Sequence, residues 1–231
     1  MKYSFMTFST PELNIEENLA LAKRLGYDGI EPRVVSNHKH GIELDLSSAD
    51  RAAVRAKVEQ SGVALSCIAT SCKYATPETS RDMAAETRQY IDLAADVGCP
   101  CIRVFGGAIP ANVTREQAVE LLVKALGSVA DHAAERGVTV CLETHDDWCD
   151  PRHVAEVMQR IDHPAIAVNW DLMHPVNRGG VSMDKAFEVL RPWIRHVHAH
   201  DGKRIGEAIE LVPIGEGFID HKRALELLAS I

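Results

Sequence analysis

The sequence predicts an α/β chain of the (β/α)8 TIM-barrel class, short of its eighth strand and helix, and three observations carry that prediction. Short apolar, β-rich runs alternate strictly with longer segments of helical period. The turn after the first strand, Ser9-Thr10-Pro11-Glu12-Leu13-Asn14, holds no glycine, whereas an open doubly wound sheet would place a glycine-rich phosphate turn there. The histidines gather on one rim, where barrel chemistry sits. Of eleven, those at 38, 40, 145, 174, 196, 198 and 200 fall at strand ends or just beyond, while 132, 153, 163 and 221 lie in helices or their flanks.

The elements follow in order. A first strand over 3–8 precedes a helix that Asn14 and Glu17 open with a capping-box pattern and Gly26 closes. A second strand covers 29–34, and a helix over 48–60 ends at Gly62. The third strand spans 63–69. Thr76-Pro77 starts the next helix as cap then proline, and Gly98 ends it. Strand four is 101–105. Thr114 and Gln117 cap a long helix that stops at Gly137, and strand five is 138–142. Asp150-Pro151 repeats the cap-proline order. Strand six is 165–170, a helix covers 182–190, and strand seven is 195–200. After a long loop, Asp220 starts a last helix. The chain reaches Ile231 with no eighth strand, so the expectation is one domain over 1–231, C-terminally incomplete; a seven-stranded barrel, open or completed by a partner, is the alternative.

The totals bound the partners. At 231 residues, 46% hydrophobic and 25% charged, the chain is an ordinary globular domain. A net charge of −8 opposes an extended contact with nucleic-acid phosphates and offers no basic stripe to a membrane. The start has no signal or transit composition, and no apolar run approaches the ~20 residues of a membrane span. Six cysteines without a secretion signal read as reduced thiols of a cytoplasmic protein. Cys99 and Cys101 read as small core residues rather than ligands.

Three strand ends carry the chemistry. Strand five ends in Cys141-Leu142-Glu143-Thr144-His145, strand six in Asn169-Trp170-Asp171-Leu172-Met173-His174, and strand seven reads His196-Val197-His198-Ala199-His200-Asp201. A period of two puts His196, His198 and His200 on one face. Two carboxylates and an imidazole suit Mn²⁺, Mg²⁺, Co²⁺ or Zn²⁺. Burying Glu143 beside Asp171 without a cation would be costly. Helix capping, or pairing with Arg103 and Arg195, is the competing account of the two acids. For His196 and His200 a ligand role is the less favoured reading. Arg103 either points into the mouth to bind an anionic group or pairs with Glu31. Trp148 and Phe105 are candidate pocket walls, His38 and His40 read as a solvated loop, and Glu216 reads as part of a glycine turn.

Nearly the whole chain resembles the xylose isomerase-like barrel superfamily, the sugar phosphate isomerase/epimerase group that also contains endonuclease IV. The motifs that carry the resemblance are GYDGIEPR, IRVFGG, LETH, WDLMH and HVHAHD followed by PIGEGFID, on successive strands. The resemblance implies one divalent metal ion, Mn²⁺ foremost, held by Glu143, Asp171 and His198. A fourth ligand, a glutamate of strand eight, has no counterpart here. It implies Glu143 as a catalytic proton-transfer residue, with substrate contacts at His174 and Arg204; His145 and Arg103 join them as candidate substrate-binding residues of the mouth. Cys149 stands where the epimerases carry another glutamate, which speaks against a tagatose- or psicose-type substrate.

The function expected is isomerisation or epimerisation of a sugar, sugar phosphate or related hydroxy-carbonyl compound, through an enediolate that the metal stabilises. A dehydratase of inosose or dehydroshikimate type begins with the same proton abstraction and is the first rival. A non-catalytic binding relative is another. An endonuclease-type hydrolase is disfavoured, because strands three and four end without histidine. The partner expected is a small sugar-like molecule, with no nucleic acid and no membrane; assembly into a homo-oligomer is compatible with this reading.

Overall fold

Four of the helix starts are fixed by side chains the sequence singled out. In the computed structural model, which describes residues 1–206 and 208–231, Asn14 and Glu17 form a reciprocal capping box at the start of α1 (Ile15–Leu25), and Thr114 and Gln117 do the same for α4 (Arg115–Arg136). Ser47 caps α2 (Ser48–Ser61), and Asp150 caps α5 (Pro151–Ile161). In α3 (Pro77–Val97) the proline sits in the first turn as expected, but the Thr76 side chain accepts no capping hydrogen bond. Glycines 26, 62, 98 and 137 end four of these helices in the left-handed conformation, which glycine adopts without strain.

The strands are β1 (Ser4–Met6), β2 (Gly29–Glu31), β3 (Ala64–Leu65), β4 (Ile68–Ala69), β5 (Cys101–Phe105), β6 (Thr139–Glu143), β7 (Ile166–Asp171) and β8 (Ile194–His198). They form two parallel runs, β1-β2-β3 and β4-β5-β6-β7-β8. An isolated Arg33–Ala69 bridge connects the runs, and β3 and β4 are two stretches of one stave. The result is a curved parallel wall of seven staves with β1 and β8 at its edges. No ladder joins those edges among the described residues.

Alternation along each stave separates two environments. Ile102, Val104, Val140, Leu142, Val168 and Trp170 point outward and pack under the helices in the main core. The intervening residues face the barrel interior. Its lowest layer is a small separate cluster of Cys67, Cys101, Cys141 and Ala167. Above it come Glu31, Arg103 and Asn169, then Glu143 and Asp171, all of them buried. All six cysteines are free and buried, as reduced thiols were expected to be.

Two features depart from the expectations. The stretch after strand seven is not a loop: β9 (Asp201–Ile205) and β10 (Ala208–Val212) pair antiparallel. Both strands are largely exposed, so they lack the half-buried alternation that marks a strand in sequence. Secondly, His40 is not solvated. It is 2% exposed; its Nε2 donates to the Arg33 carbonyl at 2.9 Å and its Nδ1 accepts from the Ile42 N–H at 3.0 Å. The short α6 (Met173–Asn177), α7 (Met183–Leu190) and α8 (His221–Leu228) complete the chain.

Candidate active site

Register brings the strand-end residues together. Glu143 pairs with Asn169 across β6 and β7, and Asp171 with His198 across β7 and β8. Between Val168 and Asn169 the pairing with β8 slips from Ile194 to His196. Arg195 is therefore an extra, bulged residue that turns His196 and His198 inward, a usual role for bulges beside functional sites. Glu143, Asp171 and His198 can each offer a donor atom, all within 4.8 Å of one another.

Glu143 is 3% exposed. Its Oε1 lies 2.9 Å from His198 Nδ1, and its Oε2 lies 3.1 Å from Arg103 Nε. The Arg103 contact is out of line for a hydrogen bond, which leaves Oε2 buried without a hydrogen-bond partner. Arg103 therefore interacts with Glu143 rather than with Glu31. Its guanidinium also donates to the Thr70 carbonyl at 2.5 Å and stacks 3.9 Å from the Phe105 ring centroid.

Glu31 is the member the sequence reading assigned elsewhere. It is 3% exposed, and its two oxygens meet His198 Nε2 at 3.0 Å and His196 Nε2 at 2.9 Å. A signal was present: GYDGIE ends a buried strand in an acid, as LE does before Thr144. Glu31 and Glu143 thus grip His198 from both ring nitrogens. Burial disfavours the imidazolium, yet the two carboxylates overrule it and hold His198 well above the usual histidine range. Burial likewise pushes against ionisation of Glu31, but His198 and His196 keep its carboxyl well below the usual range. Glu143 is lowered too, with burial opposed by His198 and Arg103.

Asp171 divides its oxygens. Oδ1 accepts the backbone N–H of Met173 at 2.8 Å and of His174 at 2.9 Å, while Oδ2 lies 2.7 Å from His200 Nε2. His174 packs between His145 and His200, with ring centroids at 4.4 and 5.3 Å. Burial lowers its pKa, against the pull of Asp171. His145 also stacks on Phe105 at 4.8 Å and is held by Asp146 Oδ1, 2.9 Å from its Nδ1. Trp148 is fully buried and donates to the Gly107 carbonyl. Cys149 is buried against the Asp146 carbonyl.

Arg204 is not drawn into this group. It is exposed on β9, with its guanidinium 5.0 Å from the Phe218 ring, and makes no hydrogen bond to the cluster among the described residues. Asp201, beside it, is fully committed to structure. It is 1% exposed and accepts the backbone N–H groups of Gly202, Gly215, Gly217 and Ile219 at 2.9–3.1 Å. Glu216 is exposed in the turn that Asp201 pins, as its glycine neighbours predicted.

The donor set fits a divalent ion. Two buried carboxylates and an imidazole nitrogen converge, and one carboxylate oxygen has no hydrogen bond to satisfy it. A cation would balance acids that otherwise repel at short range.

The fold has relatives among known proteins. The family model described as "Xylose isomerase-like TIM barrel" matches residues 19–231. The chain belongs to that family. Among its relatives, L-ribulose-5-phosphate 3-epimerase UlaE of Salmonella heidelberg is 26% identical over 223 residues, 92% of this chain and 76% of the epimerase. The 3-dehydroshikimate dehydratase of Bacillus anthracis is 25% identical over 146 residues, 54% of this chain and only 50% of the dehydratase. Of solved structures, the IolI protein with a bound zinc atom superposes with a TM-score of 0.82 at 18% identity, covering 100% of this chain and 85% of that one. The relatives are thus epimerases and a dehydratase on this fold, and no helix among the described residues is long and apolar enough to cross a membrane.

Proposed function

We propose that residues 1–231 form one catalytic domain that moves a proton next to the carbonyl of a sugar, sugar phosphate or related hydroxy-carbonyl compound, isomerising or epimerising it. The observation that carries this reading is the convergence of Glu143, Asp171 and His198 donors within 4.8 Å at three adjacent strand ends. These residues would hold one divalent ion, Mn²⁺ foremost, with Mg²⁺, Co²⁺ and Zn²⁺ as alternatives. Such an ion polarises a carbonyl and makes the adjacent C–H more acidic.

The residues supply the rest. Glu143 is ionised, and its Oε2 has no hydrogen bond, so that oxygen is free to take a proton from carbon while Oε1 faces His198. Arg103, 3.1 Å from Oε2, keeps the carboxylate oriented and offers positive charge beside the site. Glu31 fixes the His198 ring through Nε2, leaving Nδ1 toward Glu143 and Asn169. His174 and His145 form an imidazole wall suited to the substrate's hydroxyls, and the hairpin that carries Arg204 would have to fold inward for that residue to take part. Buried reduced thiols suit a cytoplasmic setting.

The dehydratase relative supports a second reading, in which the same proton abstraction is followed by loss of a β-hydroxyl. One experiment tests both. The chain with Mn²⁺ is incubated in deuterium oxide with a panel of ketoses, their phosphates, inososes and dehydroshikimate. Deuterium entering a C–H next to the carbonyl, abolished by Glu143→Gln, supports proton transfer; conversion of the substrate into a product lighter by one water supports the dehydratase. Exchange that persists in Glu143→Gln overturns the assignment of the base.

A further inference from the structure

Beyond Glu143 the pairing of β6 with β7 is carried on by a side chain. In a regular parallel ladder Thr144 would donate its N–H to the Asn169 carbonyl and accept the Asp171 N–H on its own carbonyl. The first of these bonds is present, at 3.2 Å. The second is lost because the chain turns away: the His145 N–H donates to the Glu143 carbonyl at 2.9 Å, closing a three-residue turn centred on Thr144. The Thr144 hydroxyl takes the place of the carbonyl. Its Oγ1 accepts the Asp171 N–H at 3.0 Å and donates to the Asp171 carbonyl at 3.4 Å.

The same device recurs on alternate staves. Thr7, just past β1, accepts the Arg33 N–H on its hydroxyl at 3.0 Å. Thr70, just past β4, donates its hydroxyl to the Arg103 carbonyl at 2.8 Å. All three threonines are buried. The first, third and fifth staves thus each end in a buried hydroxyl that ties the backbone of the next stave at a charged residue: Arg33, Arg103 or Asp171. Of these, Asp171 belongs to the converging donor set.

The tie at Asp171 sets a spacing. Asp171 is anchored to β8 by its pairing with His198 and by the Leu172 N–H, which donates to the His198 carbonyl at 3.0 Å. Its Oδ1 is held by the N–H groups of Met173 and His174, which follow it in the chain and move with it. Neither restraint fixes Asp171 against β6, the strand that carries Glu143. On that side the last backbone rung is Thr144 to Asn169, and the hydroxyl is the link to Asp171 itself. We propose that Thr144 is a positioning residue: its hydroxyl sets the spacing of the Glu143 and Asp171 carboxylates, and so their grip, with His198, on a divalent ion. This role rests on the metal-assisted reading proposed above. Valine has the same shape without the hydroxyl. It would leave the Asp171 N–H buried and unpaired, and the strand end would shift to find another acceptor.

The test is Mn²⁺ affinity of the whole chain after chelator treatment, read by titration calorimetry, with circular dichroism confirming the fold of each variant. Thr144→Val should bind Mn²⁺ about tenfold more weakly than the wild type, at the low end of the loss usual for groups that orient metal ligands. Thr144→Ser restores the hydroxyl and should bind as the wild type does. Thr87→Val is the control. Thr87 is equally buried, in α3 outside the strand wall, and its hydroxyl serves Tyr74 and the Met83 carbonyl. Its loss should lower thermal stability and leave Mn²⁺ affinity unchanged. If the valine variant does not fold, Thr144→Cys, which offers a weak acceptor in the shape of serine, should weaken binding in the same direction. Wild-type affinity in Thr144→Val, or in Thr144→Cys where that variant replaces it, overturns the role and leaves the proposed reaction standing. An equal loss in Thr144→Ser or in Thr87→Val also overturns it, since the affinity would then not read the hydroxyl's tie to Asp171. A wild-type chain that binds no Mn²⁺ and exchanges no deuterium overturns both the role and the proposed reaction.

Discussion

Replacing Glu31 by glutamine asks how far a buried carboxylate controls the metal site proposed at Glu143, Asp171 and His198. In the structure His198 is gripped at Nδ1 by Glu143 and at Nε2 by Glu31, at 2.9 and 3.0 Å. An ion at Nδ1 must displace the proton there, while the Nε2 proton stays on the ring and is donated to Glu31. Glutamine keeps an acceptor at Nε2 but removes the charge. A charge-assisted hydrogen bond contributes about 1.5–3 kcal/mol and a neutral one about 0.5–1.5. The difference, about 1–1.5 kcal/mol, weakens Mn²⁺ binding roughly tenfold, at the lower end of the 10–100-fold usual for such outer partners. This loss is read by titration calorimetry at alkaline pH, where the imidazole is neutral before the ion arrives. At lower pH the sign of a second effect matters. Wild-type His198 is held well above the usual range, so Mn²⁺ affinity should fall about tenfold per pH unit on the acid side of its raised pKa. Without the Glu31 charge that break moves down towards the ordinary histidine value near 6.5. A variant with wild-type affinity and an unshifted break would refute the reasoning.

Three further outcomes follow from packing and hydrogen bonding. In Gly106→Ala a new Cβ would fall inside the Trp148 indole; thermal denaturation should show a loss of about 1–3 kcal/mol, with altered near-UV dichroism as the ring shifts. Asp201→Ala strips four backbone N–H groups of their acceptor, so the 213–219 turn should become the first site of limited proteolysis and stability should drop by about 2–3 kcal/mol. The fold holds His40 neutral: burial lowers its pKa, and Nδ1 must accept from Ile42. The unfolded chain therefore binds the extra proton more readily, so this contribution is complete above about pH 6.5 and is lost as pH falls below it. Urea denaturation between about pH 5 and pH 8 should show a smaller acid loss in His40→Gln than in the wild type.

The alternation of elements, the two capping boxes and the acids at buried strand ends were legible because each is a local pattern with a local cause. Asn14–Glu17 and Thr114–Gln117 are complete within four residues, and Glu143 and Asp171 stand out as charges where apolar runs leave the core. Glu31 carried the same mark, but its partners lie more than 160 residues away, and Arg103 offered a nearer charge to assign. The bulge at Arg195 was not legible, since a slip in register depends on the neighbouring strand. Nor was the β9–β10 hairpin, whose largely exposed strands lack the half-buried alternation that marks a strand in sequence. Arg204 was placed by resemblance alone, and nothing in its own surroundings required it to face the mouth. His40 was misread because a polar loop residue becomes a core residue only when two backbone groups close on its ring.

The layer of Cys67, Cys101, Cys141 and Ala167 at the foot of the barrel has a bearing on labelling experiments. Burial pushes the Cys67 thiol up, and Cys101 and Cys141 are also held well above the ordinary thiol range, so all three remain uncharged at neutral pH. The layer is small and buried. It lies beneath the carboxylates, at the foot of a wall whose β1 and β8 edges no ladder joins among the described residues. Buried uncharged thiols react slowly, so a thiol-directed probe should leave Cys67, Cys101 and Cys141 unmodified in the folded protein and label them only as it unfolds.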